Sequence, residues 1–282
     1  MMKISFYPLF TFALGLVLLR VQAQPAKDNT FNYQCIYRLT YQPDSTNKRS
    51  RDSADMMLLL NKDNSLFADI HSLLRDTLLY YRYKNNIATS SKEMAIFIRS
   101  PKFGYYLTKN ENGQILMNDK GQGFDFTFHR YEENRNIFEW ELSSDADTIS
   151  TIPCQKATCY FGKRLWTAWF APSIPISDGP YKFCGLPGLI IKIADDKNYW
   201  SFTLMKLVNK PFSYHFYSND PLNYEIKHTT KLAYLKAKRD HLDNLFLIDK
   251  QSGVSFKDGD EALRKMDEKM AKSNNNWIEI FP

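Results

Sequence analysis

The positions of hydrophobic and polar residues along the chain predict a protein built mostly of β-strands. From Phe31 to Gln42, aromatic or aliphatic side chains alternate with other side chains, which is the period of a half-buried strand. Further short runs of the same kind are separated by turn residues, such as the Asn112–Gly113 pair. These additional strands are predicted at 54–60, 94–99, 103–108, 114–118, 124–128, 137–142, 157–161, 165–170, 188–194 and 199–208.

Three other segments have the spacing of amphipathic helices. In the first, apolar residues recur at positions 67, 70, 74, 78 and 81, and Asn64 or Ser65 is available as the N-terminal cap. The other two helices are predicted at 222–240 and 260–273, and the last begins with two acidic residues, as helix starts prefer. The pattern as a whole predicts a β-rich α+β fold: a mainly antiparallel, curved sheet with a few amphipathic helices.

The N-terminus has the three parts of a secretory signal peptide. A positive start at Met1–Lys3 precedes a mostly apolar run, Ile4–Leu19, and Val21-Gln22-Ala23 has the small-x-small pattern of a cleavage site. The alternative is a membrane anchor, but the run is short for a bilayer span of roughly 20 apolar residues. We therefore predict a signal peptide at 1–23, one globular domain at 24–282 without a transmembrane segment, and a location in the periplasm, at the outer membrane or outside the cell.

Composition argues against one class of partner. Hydrophobic residues make up 44% of the chain and aromatic residues 15%, which is ample for a core. The net charge is +6, but Lys and Arg are interleaved with Asp and Glu along the whole length. Because no basic run is combined with stacking aromatic residues, we do not expect nucleic-acid binding.

The chain has four cysteines: Cys35, Cys154, Cys159 and Cys184. In an oxidising compartment this even number favours one or two disulfides, with the pairing left open. A zinc site is the alternative, but no second cysteine pair or spaced histidines accompany Cys154 and Cys159. We predict at least one disulfide and no metal.

No recognised catalytic motif is present. The five histidines lie outside any nucleophile elbow or zinc-protease motif, so each is expected to be structural and exposed. Asp195 and Asp196 are followed by Lys197-Asn198 and are expected in a solvated hairpin turn. Since no glycine-rich phosphate loop occurs either, we predict no catalytic residue and no cofactor.

One segment carries a specific resemblance. It contains Gly179-Pro180 and then the hexapeptide Gly185-Leu186-Pro187-Gly188-Leu189-Ile190. With the preceding stretch from Ile152, this segment resembles the GLPGLI family of exported Bacteroidota envelope proteins, over about 152–195. That resemblance implies an envelope protein of unestablished biochemical role. Members are often encoded beside TonB-dependent transporters, which implies a possible outer-membrane transporter as partner.

The motif itself can shape a turn but cannot perform acid–base chemistry. Gly185 and Gly188 can adopt positive φ, and Pro187 fixes the backbone between them, so a structural turn that packs one end of the sheet is expected. The alternative is a concave pocket for a small hydrophobic or aromatic ligand, closed by the 179–188 loop. Its aromatic lining would be Trp166, Trp169, Phe170 and Tyr181.

Two functional hypotheses follow. The first is a non-catalytic exported envelope protein that binds a ligand or an outer-membrane partner. The second is an exported hydrolase without a recognisable motif. An aromatic pocket without converging titratable groups would favour the first hypothesis, whereas two carboxylates and a histidine meeting in a cleft would favour the second.

Overall fold

The structure is a computed structural model that describes residues 30–87, 101–120, 127–214, 225–253 and 259–280. The predicted signal peptide and the predicted strand at 94–99 lie outside these residues. The strands are β1 (Thr30–Tyr41), β2 (Asp52–Leu60), β3 (Ser65–Asp69), β4 (Tyr105–Lys109), β5 (Gln114–Lys120), β6 (Thr127–Asn134), β7 (Glu141–Ile149), β8 (Ile152–Phe161), β9 (Arg164–Ala171), β10 (Leu189–Asp195), β11 (Trp200–Ser213) and β12 (Glu225–His228). The α-helices are α1 (Ile70–Lys84), α2 (Lys231–Asp243), α3 (Leu245–Gln251) and α4 (Asp260–Ser273), and short 3-10 turns occupy Lys48–Ser50 and Arg135–Ile137.

All twelve strands belong to one sheet, in the order β12-β6-β5-β4-β3-β2-β1-β11-β10-β9-β8-β7. Strands β1 to β6 form one antiparallel meander and β7 to β11 form a second. The two meanders are joined by the long antiparallel ladder between β1 and β11, and among the strands of the described residues only β12 and β6 pair in parallel. The predicted β-rich fold with a mainly antiparallel curved sheet is confirmed.

Local turn chemistry explains the hairpins that sequence predicted correctly. Gly113 has φ of +77° in the turn between β4 and β5. Gly162 and Lys163 have φ of +59° and +60° between β8 and β9. Two consecutive residues in the left-handed region match the right-handed twist of the flanking strands, so a two-residue loop suffices there.

The strand predicted at 137–142 begins later than expected and does not pair with β6. Residues 135–137 form a 3-10 turn, and β7 begins only at Glu141 and pairs with β8. Strand β6 instead lies between β5 and β12, so β6 and β7 stand near opposite ends of the sheet. Hydrophobic alternation predicts that a strand exists, but it does not specify a partner.

The first predicted helix begins later than its periodicity suggested. Ser65–Asp69 is a strand, β3, and Phe67 is therefore a strand residue. Helix α1 starts at Ile70, where the Asp69 carboxylate accepts the backbone N–H of His71 at 2.9 Å and caps the helix. The predicted helix at 222–240 is likewise shorter, since β12 precedes α2. The helix predicted at 260–273 is confirmed as α4.

The sheet carries its larger core on one face, called the inner face here. This core includes Tyr37, Leu58, Phe67, Trp166 and Phe202, which come from both meanders. A smaller core on the opposite face includes Met57, Leu59 and Leu73 of α1. Because β2 is covered on both faces, its sequence from Met56 to Leu60 is continuously apolar.

Candidate functional site

The segment with the motif connects β9 to β10 across the inner face of the sheet. We call residues 172–188 the motif loop. Its first part, 172–177, is exposed or half-buried, whereas 178–184 is buried throughout. The buried part contacts β3, β4 and β6 of the other meander through Asp178 and Lys182, so the loop ties the two meanders together.

Lys109 holds the start of the buried part. This residue lies on β4 with no exposed surface, and its ammonium pairs with the Asp178 carboxylate. The Nζ atom also donates to the backbone oxygens of three loop residues, at 2.8, 3.0 and 3.3 Å: Gly179, Tyr181 and Phe183. Asp178 in turn accepts from Ser65 Oγ of β3 at 2.8 Å. A charged donor therefore satisfies backbone groups that would otherwise be buried without a partner.

Lys182 anchors the middle of the loop inside a second charge cluster. Its Nζ atom, fully buried, donates to Glu133 of β6, to Tyr131 Oη at 3.0 Å and to Glu279 Oε1 at 2.5 Å. Lys231 of α2 completes the cluster by pairing with both glutamates. Two ammonium groups and two carboxylates therefore neutralise one another, which is the condition under which buried charges are tolerated.

The ionisation of Glu279 follows from this arrangement. Burial alone would raise the pKa of this carboxyl, but the ammonium groups of Lys182 and Lys231 outweigh burial and lower it to about 2. Tyr181 Oη donates to the same carboxylate at 2.5 Å, and burial raises the pKa of this phenol well above 10. Groups fixed in these charge states can hold the loop in place, but they cannot exchange protons near neutral pH.

The glycines of the motif serve different needs. Gly185 has φ of +94°, as a shaped turn requires. Gly188 does not have positive φ, contrary to expectation; instead, a Cβ atom there would lie 2.2 Å from the backbone oxygen of Ala171. At Gly179 a Cβ atom would meet Ile190 at 2.7 Å. Close packing of the loop against β9 and β10 therefore explains two of these three glycines.

The other motif residues divide between core and surface. Leu189 and Ile190 begin β10 in the core, Leu186 is 1% exposed, and Pro180 is also buried. Pro187 alone of this group is exposed.

The aromatic residues predicted to line a pocket are packed in the core instead. Trp166 and Phe170 have no exposed surface and Tyr181 is 3% exposed, while Trp169 is half-buried against the same core. The Trp166 ring packs at a tilt of 57° against Phe183, with ring centroids 4.7 Å apart, and its indole N–H donates to the backbone oxygen of Phe161 at 3.0 Å. A ligand could reach these rings only by displacing core side chains, so they do not form an open pocket.

The cysteines do not support the predicted disulfide. Cys35, Cys154, Cys159 and Cys184 are all buried free thiols. Cys154 and Cys159 are five residues apart on strand β8, a separation of roughly 16 Å at about 3.3 Å per residue. That distance is far beyond the roughly 7 Å between Cα atoms that a disulfide can span. Burial also raises the pKa of the Cys35 and Cys159 thiols to about 12, which keeps them protonated.

Several polar residues are buried and form ion pairs or hydrogen bonds inside the protein, although nothing in the sequence indicated this. Asp195 was expected in a solvated turn, but it is 4% exposed and pairs with Arg164 at 2.7 Å. Arg164 also binds Asn276 Oδ1 at 2.6 Å. The roles of Lys109, Lys182 and Glu279 were not predicted from the sequence, because in each case the partners are distant in sequence.

The histidines are only partly as expected. His228 is exposed, whereas His71, His129 and His241 are half-buried, and His215 lies outside the described residues.

A surface cleft lies beside the exposed part of the motif loop. Its volume is about 640 Å³. One wall is residues 173–178 of the loop, and the other is formed by Asn32, Tyr33 and the 60–65 turn between β2 and β3. Arg135 also lines the cleft.

A smaller cleft, of about 290 Å³, brings together two carboxylates and a histidine: Asp55, Asp69 and His71. Burial raises the pKa of Asp69, although backbone N–H groups of His71 and Lys102 bind its oxygens at 2.9 and 3.0 Å. Asp55 is held by Arg38 at 2.6 Å. The carboxylates are thus largely occupied by a helix cap and an ion pair.

Two observations on metal binding and membrane insertion concern the described residues alone. No group of three or more potential metal-binding side chains is found there. Within the same ranges, no helix is long and apolar enough to span a membrane.

Comparison with known proteins places the similarity at the motif loop. Residues 161–192 match a family described as "Protein of unknown function (Porph_ging)". The matched residues include the hexapeptide and lie within the segment that resembles the GLPGLI family, but the name of the matching family is a different one. No curated protein matches. Two solved structures of PNGF-II, in the P21 and C2 space groups, are similar at 13% identity with TM-scores of 0.47, covering 74% and 73% of this chain. The match spans only 32% of the PNGF-II chain in each case.

Proposed function

We propose that this protein is a non-catalytic, exported envelope protein that binds an outer-membrane partner of the TonB-dependent transporter class. After signal cleavage it consists of one globular domain. The resemblance at 152–195 and the signal pattern at 1–23 support the location and the class of partner. The observation that carries the binding role is the fixed geometry of the motif loop. Its buried part is held by Lys109 and Lys182, while its first part stays at the surface.

Rigidity of this kind favours recognition over catalysis. A loop that is already ordered loses little conformational entropy on binding, so more of the contact energy is available as affinity. The titratable groups beneath the loop are paired with one another and withdrawn from solvent. The loop can therefore present a shape to a partner but no free acid, base or nucleophile.

The 640 Å³ cleft beside residues 173–178 is the surface that we assign to the partner. Ile174, Pro175 and Ile176 supply apolar contact along one wall, and the 60–65 turn supplies polar and charged groups along the other. An apolar centre with a polar rim is the usual composition of a specific interface.

Capture from native outer membranes tests this proposal. Ser173 is exposed and lines the cleft, so Ser173→Trp should block the cleft without disturbing the core. The matched control is Ser144→Trp, at an exposed serine of β7. Capture of a transporter by the wild type and the control, and its loss with Ser173→Trp, is the expected result. Equal capture by all three proteins would exclude this cleft as the binding surface.

An exported hydrolase is the second candidate, and one specific observation favours it. Asp55, Asp69 and His71 meet in the 290 Å³ cleft, and Asp69 is a buried carboxyl with a raised pKa, as a general acid needs. Hydrolysis of ester, amide or glycoside substrates by the wild type, abolished by His71→Ala, would favour this candidate over a binding role.

A further inference from the structure

A separate pocket of about 600 Å³ lies between the C-terminal helices, away from the motif loop. Helix α2 contributes Leu242 and Asp243, α3 contributes Leu245 and Phe246, and α4 contributes Asp267 and neighbouring residues. The loop after β1 closes one side, where Asp44 is bound by Asn275 Nδ2 at 3.2 Å. This volume is within the range of small-molecule sites.

Asp267 is the unusual member of this pocket. It lies four residues after Leu263 on the buried face of α4, at a position where the helical pattern calls for an apolar side chain. The residue is 3% exposed, and neither carboxylate oxygen has a hydrogen-bond partner among the residues that the structure describes. Burying a carboxylate without a partner is costly, and an acid in this position therefore calls for a compensating donor.

The surroundings of Asp267 define what that donor would be. The lining includes three more acids, namely Asp44, Asp243 and Glu268. Neither of the two basic residues of the lining binds Asp267: the Arg239 guanidinium lies over the Trp277 ring at 4.7 Å, and the largely exposed Lys272 lies 4.0 Å from Glu268. Leu242, Leu245, Phe246 and Ala271 supply apolar walls. A lining with one buried, unpartnered acid, more acids than bases and apolar side chains suits a cation that carries a hydrocarbon body.

We propose that this pocket binds an organic ammonium ion, a primary amine with an aliphatic or aromatic body, and that Asp267 receives its charge. The ammonium group would donate to both free carboxylate oxygens, while the body of the ligand would pack against Phe246 and the leucines. The same chemistry is offered by a free amine and by the lysine side chain of a peptide.

The test uses phenethylamine as the probe, with phenethyl alcohol as its uncharged analogue of equal size. Binding to the full-length mature protein is measured by NMR titration at neutral pH. A probe of this size is expected to bind with a Kd of about 1 mM, and the alcohol at least tenfold more weakly, the loss expected of one charge-assisted hydrogen bond. No amine binding at about 10 mM, or equal binding of amine and alcohol, would overturn the proposal.

Two variants assign the effect to Asp267. Asp267→Asn keeps the shape and removes the charge, and it should weaken phenethylamine binding at least tenfold. Glu261→Gln changes the same charge on the same helix at an exposed ion pair outside the pocket, and it should leave binding unchanged. Undiminished binding to Asp267→Asn would refute the assignment. Competition by N-acetyl-lysine amide would identify a peptide lysine as the source of the ammonium group, and its failure would identify a free amine.

Discussion

The charged residues beneath the motif loop and the acid between the C-terminal helices are buried to a similar degree, but only the former have partners of opposite charge. Lys109 and Lys182 have no exposed surface, and every charge near them has a partner. Asp267 is also buried, yet neither of its oxygens is bound. Burial alone therefore does not distinguish a buried charge with a structural role from one that is available to bind a ligand. The presence or absence of partners within the protein makes that distinction.

The largest effect should come from removing Lys109. The variant Lys109→Met removes the nearest cation from the buried Asp178 carboxylate, which keeps only the more distant Arg135 at 3.9 Å as an ion-pair partner. It also leaves three carbonyl oxygens without a donor, so the free energy of unfolding should fall by about 3–5 kcal/mol. Urea denaturation measures the change. Lys265→Met, which removes an exposed ion pair with Glu261 at 3.4 Å, is the control and should cost less than about 0.5 kcal/mol. Similar losses for both variants would mean that the cluster does not hold the loop.

Acidification should weaken the cluster at Glu279. Because the folded-state pKa is lowered from 4.5 to about 2, the carboxylate stabilises the fold above pH 4.5, and this contribution is lost as the pH falls towards 2. The loss should reach about 3 kcal/mol. Denaturation series from pH 7 to pH 2.5 measure it. In Glu279→Gln the decline across this window should be clearly smaller, and an equally steep decline would assign the acid sensitivity to other groups.

The fit of the loop against β9 should be tested at its glycines. Gly188→Ala places a methyl group 2.2 Å from the Ala171 backbone oxygen, so the backbone must move, at a cost of about 1–3 kcal/mol. Gly185→Ala meets nothing closer than 3.7 Å and incurs only the strain of φ at +94°, about 1 kcal/mol. Thermal unfolding compares the two. A larger loss for Gly185→Ala would mean that the turn, and not the close packing, needs glycine.

The smallest effect should be a gain in the free energy of unfolding, whereas the variants above should lower it. Asp267→Asn removes an unpartnered buried charge, so the apo protein should gain about 1 kcal/mol of stability at pH 7. Burial and the Asp249 carboxylate raise the pKa of Asp267, so the wild type regains stability when this group is protonated and the difference should shrink on acidification. A loss of stability in Asp267→Asn would show that the carboxylate has a partner in the folded protein.

Sequence predicted the parts of this fold that depend on neighbouring residues. The hairpin at Gly162-Lys163 and helix α4 follow from local turn chemistry and helical periodicity, and both are confirmed. The position of β7 could not be predicted in this way, because its pairing with β8 instead of β6 is a property of the whole sheet. The start of α1 was misplaced because Phe67 fits the helical spacing as well as the strand that it occupies.

The candidate site was harder to predict than the fold. The hexapeptide marks the loop correctly, but the residues that fix the loop are charged and look like surface residues in sequence. Lys182 and Glu279 are 97 residues apart, and Lys109 and Gly179 are 70 apart. Only the folded chain brings these groups together. A cluster of aromatic residues looks the same in sequence whether it lines a pocket or fills a core. The aromatic residues predicted to line a pocket here pack in the core.

The ladder between β1 and β11 also has a consequence for how the chain acquires its structure. Thr30 pairs with Ser213, 183 residues later, and this ladder lies between the two meanders. Until β11 has been synthesised, β1 presents an unpaired edge, which is a template for unwanted association with other chains. Closing so long a loop also makes folding slow. We therefore expect the nascent protein to depend on a chaperone until β11 is complete, and to aggregate when its synthesis is interrupted before residue 200.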